Sequence, residues 1–272
     1  MTQPKPGCAG KLRVCIGMLN SPGIPNYAIS STWINYLYSV RHKYDFIVNR
    51  CPDDTDVDWK WDPKHEYTLV WYKAEFIKKY LPSYHVFVYI DSDAVFRDAA
   101  KSVEQFLAEE NDNALIYASA DCMSEQICWK KNELNAGFLV VKNTPKTFEL
   151  LDAWIKAPET ALCREWKYTH PREQACLNEL QKSQYANEIK ILPRDKRVGT
   201  HDGNWVVHLA GVKDSTREHY FTQMINGNDP VLVTNTVGSL TFLASHKAAI
   251  VTGMLVAVIL VVWLVVWRVA KR

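Results

Sequence analysis

The stretch Val86-Phe87-Val88-Tyr89-Ile90-Asp91-Ser92-Asp93-Ala94-Val95-Phe96 decides the fold. Its first five residues are all β-branched or aromatic, and a short run of that kind reads as a strand buried on both faces. Two carboxylates one residue apart follow at once, and then the chain turns apolar again. In an open, mostly parallel sheet, ligands gather outside the carboxyl ends of the strands, which is where Asp91 and Asp93 fall. Spaced i, i+2 on an extended or turning backbone, their oxygens converge on one hard cation of the Mg²⁺ or Mn²⁺ type, which binds carboxylates together with substrate phosphates. Taken alone, the same residues read equally as an Asx-rich turn closing a strand, and the segments around them weigh toward the cation.

Upstream, 11–18 (KLRVCIGM) reads as a first strand and 21–25 (SPGIP) as a loop of turn formers. A helix over 32–41 follows, capped by Ser30 or Ser31, with Trp33, Tyr36, Leu37 and Val40 on one face. Residues 45–48 form a short strand and 51–63, with its aspartates and prolines, a surface loop. Val70, Ala74, Ile77 and Leu81 recur at helical spacing until Pro82 stops the helix just before the central strand. Strand alternating with helix predicts an α/β fold with a mostly parallel central sheet. Neither G-x-G-x-x-G nor a Walker A sequence occurs, so a dinucleotide fold and a P-loop are both unsupported. Downstream, helices are expected over 103–110, 147–155 (Thr144 as cap, Pro145 first) and 172–180, and strands over 114–118, 134–142, 190–192 and 205–209.

With 272 residues, 47% of them apolar, the chain can bury a substantial core. A net charge of +2 gives no phosphate-attracting field, and no nucleic-acid partner is expected. The seven cysteines contain no C-x-x-C pair, so they read as reduced buried thiols rather than a zinc site or a disulfide framework. Residues 248–267 carry no charge for a length that spans a bilayer as a helix, with Trp267 at the interface and Arg268, Lys271 and Arg272 beyond it. The expected organisation is a disordered N-terminus (1–10), a catalytic domain (11–220), a linker (221–247), a transmembrane helix (248–267) and a basic tail (268–272). No signal peptide precedes the domain, which favours a tail anchor with the domain in the cytosol. The basic tail favours a cytoplasmic C-terminus, with the domain in an endomembrane lumen.

In order and spacing these segments resemble the GT-A glycosyltransferases, and most closely the galactosyl/mannosyl/xylosyltransferase family of fungal and plant enzymes. The resemblance covers most of 11–220. It runs through 35–45 (NYLYSVRHKYD), the lysine helix after Trp71-Tyr72-Lys73, the Asp91-Ser92-Asp93 block, 134–139 (LNAGFL), 170–177 (HPREQACL) and 207–211 (VHLAG). Lys43 stands where that family has glycine, Glu173 where aspartate is frequent, and the anchor is C-terminal rather than N-terminal.

The resemblance implies transfer of a sugar, with retention, from a UDP- or GDP-sugar to a glycan or glycoprotein hydroxyl. A Mn²⁺ (or Mg²⁺) ion held by Asp91, Asp93 and His208 would offset the charge that builds on the leaving diphosphate, and imidazole among the ligands favours Mn²⁺. Lys73 is a candidate for the donor phosphates, or a solvated lysine on a helix face. Lys213 and Arg217 are further phosphate candidates. Asn135 and Gly137 would line the donor-sugar pocket, or simply turn the chain into a strand. Glu173 and Gln174 would lie beneath the anomeric carbon, as a nucleophile or as support for an oxocarbenium-like state; a first helical turn also favours an acidic residue through the helix dipole. The first strand, around 14–18, faces the base. Two other classes share parts of this pattern: a sugar nucleotidyltransferase, whose Gly-rich loop near the first strand is missing, and a non-catalytic, membrane-anchored glycan-binding protein on a decayed transferase domain, which predicts loss of the very carboxylates that remain.

Overall fold

Three parallel strands form one side of the main sheet: β1 (Val14–Asn20), β2 (Asp45–Arg50) and β3 (Val86–Ile90). Their crossovers carry α1 (Tyr27–His42) and α2 (Tyr72–Tyr80). The computed structural model describes residues 12–20, 26–50, 69–121, 133–193, 197–200 and 203–227. Every residue of β3 is buried, as a run without polar alternation requires of a central strand.

Past β3 come β4 (Ala94–Phe96), α3 (Val103–Glu110), β5 (Ile116–Ala120), β6 (Leu134–Lys142), α4 (Pro145–Lys156), α5 (Glu173–Ser183), β7 (Ile189–Leu192), β8 (Val198–Thr200), β9 (Val206–His208) and α6 (Asp214–Ile225). Thr144 caps α4 by accepting from the Thr147 amide, with Pro145 at the first position. Ser102 and Gln105 make a reciprocal capping box on α3. The main sheet has the order β2-β1-β3-β6-β5-β7. It is mixed rather than simply parallel: β2, β1, β3, β5 and β7 share one direction, and β6 alone runs against both its neighbours. The Asp121 amide donates to Glu133 O (2.8 Å), closing β5 directly onto β6, and neighbouring strands joined in that way pair antiparallel. β4, β9 and β8 form a second, three-stranded sheet that the sequence pattern did not predict as a unit.

Alternate residues divide the core. Cys15, Leu19, Phe87, Tyr89, Leu139 and Val141 pack with α2, α4 and α5, while Ile16, Met18, Val88, Ile90, Phe138 and Val140 pack with α1, α3 and the small sheet. Helix α1 departs from expectation twice. It starts at Tyr27, with no side-chain cap, and Trp33, Tyr36 and Val40 lie on its exposed side. Its buried face mixes Tyr27, Ile34 and Tyr38 with Ser31, Asn35 and Ser39, and the polar members are there because they hydrogen-bond to backbone groups. Asn35 Nδ2 donates to Ala94 O (2.9 Å), its Oδ1 accepts from the Phe96 amide (3.0 Å), and Ser31 Oγ donates to Ser92 O (2.5 Å). Apolar periodicity cannot reveal a helix face chosen by hydrogen bonding.

Helix α6 runs to Ile225, so the stretch expected as linker from 221 begins in helix. Cys15, Cys163 and Cys176 are free buried thiols, as expected; Cys8, Cys51, Cys122 and Cys128 lie outside the described residues. Among the described residues no helix is long and apolar enough to cross a membrane. The N-terminal segment 1–10, the spanning helix at 248–267 and the basic tail lie outside them.

Candidate active site

The site lies where β3 hands the chain from the large sheet to the small one. The Asp91 amide donates to Gly137 O (2.8 Å), which extends the β3–β6 ladder by one step and sets Asp91 against the start of β6. Ala94 pairs with His208, and the Leu209 amide donates to Asp93 O (2.8 Å), so β9 delivers its histidine beside the second carboxylate. The ligand atoms offered by Asp91, Asp93 and His208 all lie within 4.8 Å of one another. Asp93 Oδ1 is 3.0 Å from His208 Nε2, and Asp93 Oδ2 accepts from Arg217 Nη2 at 2.8 Å. Burial pushes the Asp93 carboxyl up, but His208 and Arg217 outweigh it and hold the pKa at about 2. Burial alone would lower His208; the Asp93 and Asp91 charges raise it instead.

Gly137 explains the space between these groups. A Cβ there would stand 2.2 Å from His208 Cε1 and 2.8 Å from Asp91 Oδ2, so only glycine lets the imidazole and the carboxylate approach.

Lys73 does not sit on a solvated helix face. It is 2% exposed, and its Nζ lies 3.0 Å from Glu173 Oε1, 2.9 Å from Ala136 O and 3.4 Å from Asp91 Oδ1. Burial disfavours the ammonium, yet Asp91 and Glu173 outweigh it and raise the lysine pKa. With its donors engaged in this way, Lys73 joins the metal-ligand candidate Asp91 to Glu173 rather than reaching outward to phosphates. Tyr89 completes the link, donating to Asp91 Oδ1 at 2.7 Å while Lys73 lies over its ring.

Glu173 and Gln174 open α5, which Trp154 Nε1 pins by donating to Glu173 O (2.8 Å). Gln174 Oε1 accepts from the Ala136 amide (3.0 Å) and its Nε2 donates to Asp121 Oδ2 (3.1 Å); Asn135 Nδ2 donates to the other oxygen, Oδ1 (3.1 Å). Asn135 Oδ1 also accepts from the Gly137 amide (2.8 Å). Asn135, Gly137, Glu173 and Gln174 thus form one connected wall with Asp121, a residue sequence reasoning missed. The same rule that singled out Asp91 applies to Asp121, a carboxylate just past the end of a strand. Arg217 proves closer to the centre than Lys213, which stands exposed at the start of α6.

The family model described as nucleotide-diphospho-sugar transferase matches residues 27–241. The chain belongs to the nucleotide-diphospho-sugar transferase family. As a nucleotide-diphospho-sugar transferase it is a glycosyltransferase, and its mixed α/β sheet is that of the GT-A fold. Among solved structures, a glycosyltransferase involved in the glycosylation of the major capsid of PBCV-1 superposes with a TM-score of 0.58 at 17% identity, covering 78% of this chain and 99% of that one. The apo form of mouse xyloside xylosyltransferase 1 gives a TM-score of 0.40 at 12% identity, covering 66% and 85%. No curated protein matches this transferase in sequence.

Proposed function

We propose that this transferase moves a hexosyl or pentosyl group from a UDP- or GDP-sugar to a hydroxyl of a glycan or glycoprotein, in a reaction that needs a divalent metal and retains the anomeric configuration. The observation that carries the proposal is the convergence of Asp91, Asp93 and His208 at a gap that a single Cβ at Gly137 would close. Two carboxylates and one imidazole suit Mn²⁺, with Mg²⁺ the alternative, and these three residues would hold it. Bound there, the ion supplies Lewis-acid neutralisation of the charge that develops on the departing diphosphate.

The remaining work falls to the chain's own groups. Arg217, already at Asp93, is a second cation beside the leaving group. Asn135 and Asp121 offer hydrogen-bonding groups to the sugar hydroxyls. Lys73 holds Glu173 by one oxygen, which sets that carboxylate to stabilise positive charge on the anomeric carbon or to attack it. The motif order supports a place near the galactosyl-, mannosyl- and xylosyltransferases. The uncharged run 248–267 supports a single-pass anchor.

The test is release of nucleotide diphosphate from a panel of nucleotide sugars by the full chain, with Mn²⁺ or with EDTA. One donor is expected to turn over only with the metal, and Asp93→Ala to reduce the rate by about 10²-fold or more. Folded protein that neither cleaves nor binds any donor would overturn the proposal.

A further inference from the structure

The stretch that leads from α4 into α5 is held to the molecule at few points. From 159 to 172 a single residue is fully buried, and it is Cys163. A stretch so exposed has little apolar contact of its own to keep it in place. Trp71 Nε1 fastens it once, by donating to Lys167 O (3.0 Å). Cys163 fastens it a second time by entering the core, and there it meets another cysteine. That residue is Cys176, 0% exposed and one turn past Glu173 on α5.

The two thiols are in contact. Cys176 Sγ lies 3.9 Å from Cys163 O, and its S–H donates to the Cys163 sulfur. This hydrogen bond lowers the Cys163 pKa, against the rise that burial causes, and raises that of Cys176. Cys163 is therefore the sulfur that ionises first, and the thiolate is the reactive form. Cys15 supplies the contrast: it is equally buried, but it faces Tyr84 and Asp45, and burial pushes its thiol up to about 12. A disulfide demands a narrow geometry, and two sulfurs already touching reach it with little movement of the main chain.

We propose that Cys163 and Cys176 form a modification site, a pair that peroxide closes into a disulfide, stapling the 159–172 stretch to the helix that carries Glu173 and Gln174. The Cys163 thiolate attacks one peroxide oxygen, the O–O bond breaks, and a sulfenic acid and hydroxide form. Cys176 then attacks the Cys163 sulfur, the S–O bond breaks, and the second oxygen leaves with the remaining thiol proton. Two thiols lose two electrons and one peroxide becomes two waters. Peroxide, scarcely larger than water, enters when the exposed stretch opens locally. The site stands independently of the transferase reading.

The experiment treats the folded full chain with equimolar hydrogen peroxide, alkylates it with iodoacetamide in denaturant without reductant, and maps it with trypsin. The expected product joins peptide 157–164 to peptide 173–182, two hydrogens lighter than the two free peptides together, and is missing from Cys176→Ala. Because the bridge spans 13 positions, the oxidised wild type should melt about 5 °C or more above the reduced form. Dithiothreitol should reverse both the joined peptide and the rise. If Cys176→Ala does not fold, the wild-type map and its reversal decide the matter. Recovery of both cysteines alkylated from folded, peroxide-treated protein overturns the inference. So does Cys163 oxidised to the sulfinic acid, a bridge from either residue to a different cysteine, or a joined pair without a rise in Tm.

Discussion

At the scale of single residues, Gly137 and Lys73 do more than their positions in the sequence foretold. Gly137 was expected to let a sugar come near; the structure shows that it first lets His208 and Asp91 come near each other. Gly137→Ala is therefore expected to leave β6 folded and to displace the imidazole, weakening Mn²⁺ binding by about tenfold or more. Isothermal titration with Mn²⁺ alone checks this, and unchanged affinity would show that the close contact is relieved elsewhere. Lys73 bridges two carboxylates, with its own ammonium and Glu173 buried and Asp91 partly exposed. Removing one partner of such a group leaves charge buried without compensation, so Lys73→Met is expected to cost about 3–5 kcal/mol. Combined with Glu173→Gln, it should cost less than the sum of the two single changes by about 1 kcal/mol or more, measured by urea unfolding.

At the scale of elements, the legible parts were those whose formation depends on local chemistry. Thr144-Pro145 marks the start of α4, and the unbroken apolar run 86–90 is β3. What stayed hidden depends on contacts far apart in the chain. The buried face of α1 is set by Asn35 reaching β4, the reversed direction of β6 by its closure onto β5, and the burial of Lys73 by carboxylates from β3 and α5. The Asp91–Asp93–His208 cluster was legible because two of its members stand two positions apart in sequence. Asp121 was not, because its partners, Asn135 and Gln174, come from two later segments.

Another long-range junction gives a pH prediction. Asp112 accepts from Lys190 of β7 (2.5 Å), from Tyr117 Oη of β5 (2.7 Å) and from the Ala114 amide (3.1 Å). Burial pushes its carboxyl up, but Lys190, Tyr117 and Ala114 outweigh that and hold the pKa at about 2. A depressed carboxylate adds stability that is complete above its unfolded pKa of about 3.9 and is lost as pH falls through the folded value. Solvent screening at this partly exposed junction keeps the cost of Asp112→Asn to about 1 kcal/mol, a fall in Tm of about 2–4 °C at neutral pH. The difference from wild type should persist down to about pH 5 and narrow steadily below about pH 4. A difference that stayed constant through the acid range would mean the hydrogen bonds matter and the charge does not.

At the scale of the whole molecule, the two sides of the Asp91–Asp93–His208 cluster are built from parts of unequal standing. Strand β6 is buried along nearly its whole length and hydrogen-bonded on both edges, to β3 and to β5. Helix α6, which brings Arg217, is largely exposed and buries only Phe221 and Met224. Amides deep in a sheet exchange with solvent only when the whole fold opens, whereas lightly packed helices open by themselves. Hydrogen exchange should therefore find Leu139, Val140 and Val141 among the slowest amides and those of α6 faster by orders of magnitude, and Mn²⁺ with a nucleotide diphosphate should slow α6 selectively. The floor on which the sugar rests would then keep its shape from one turnover to the next, and the arginine on α6 would act as a latch, free to lift with the spent nucleotide and to close again on a fresh one.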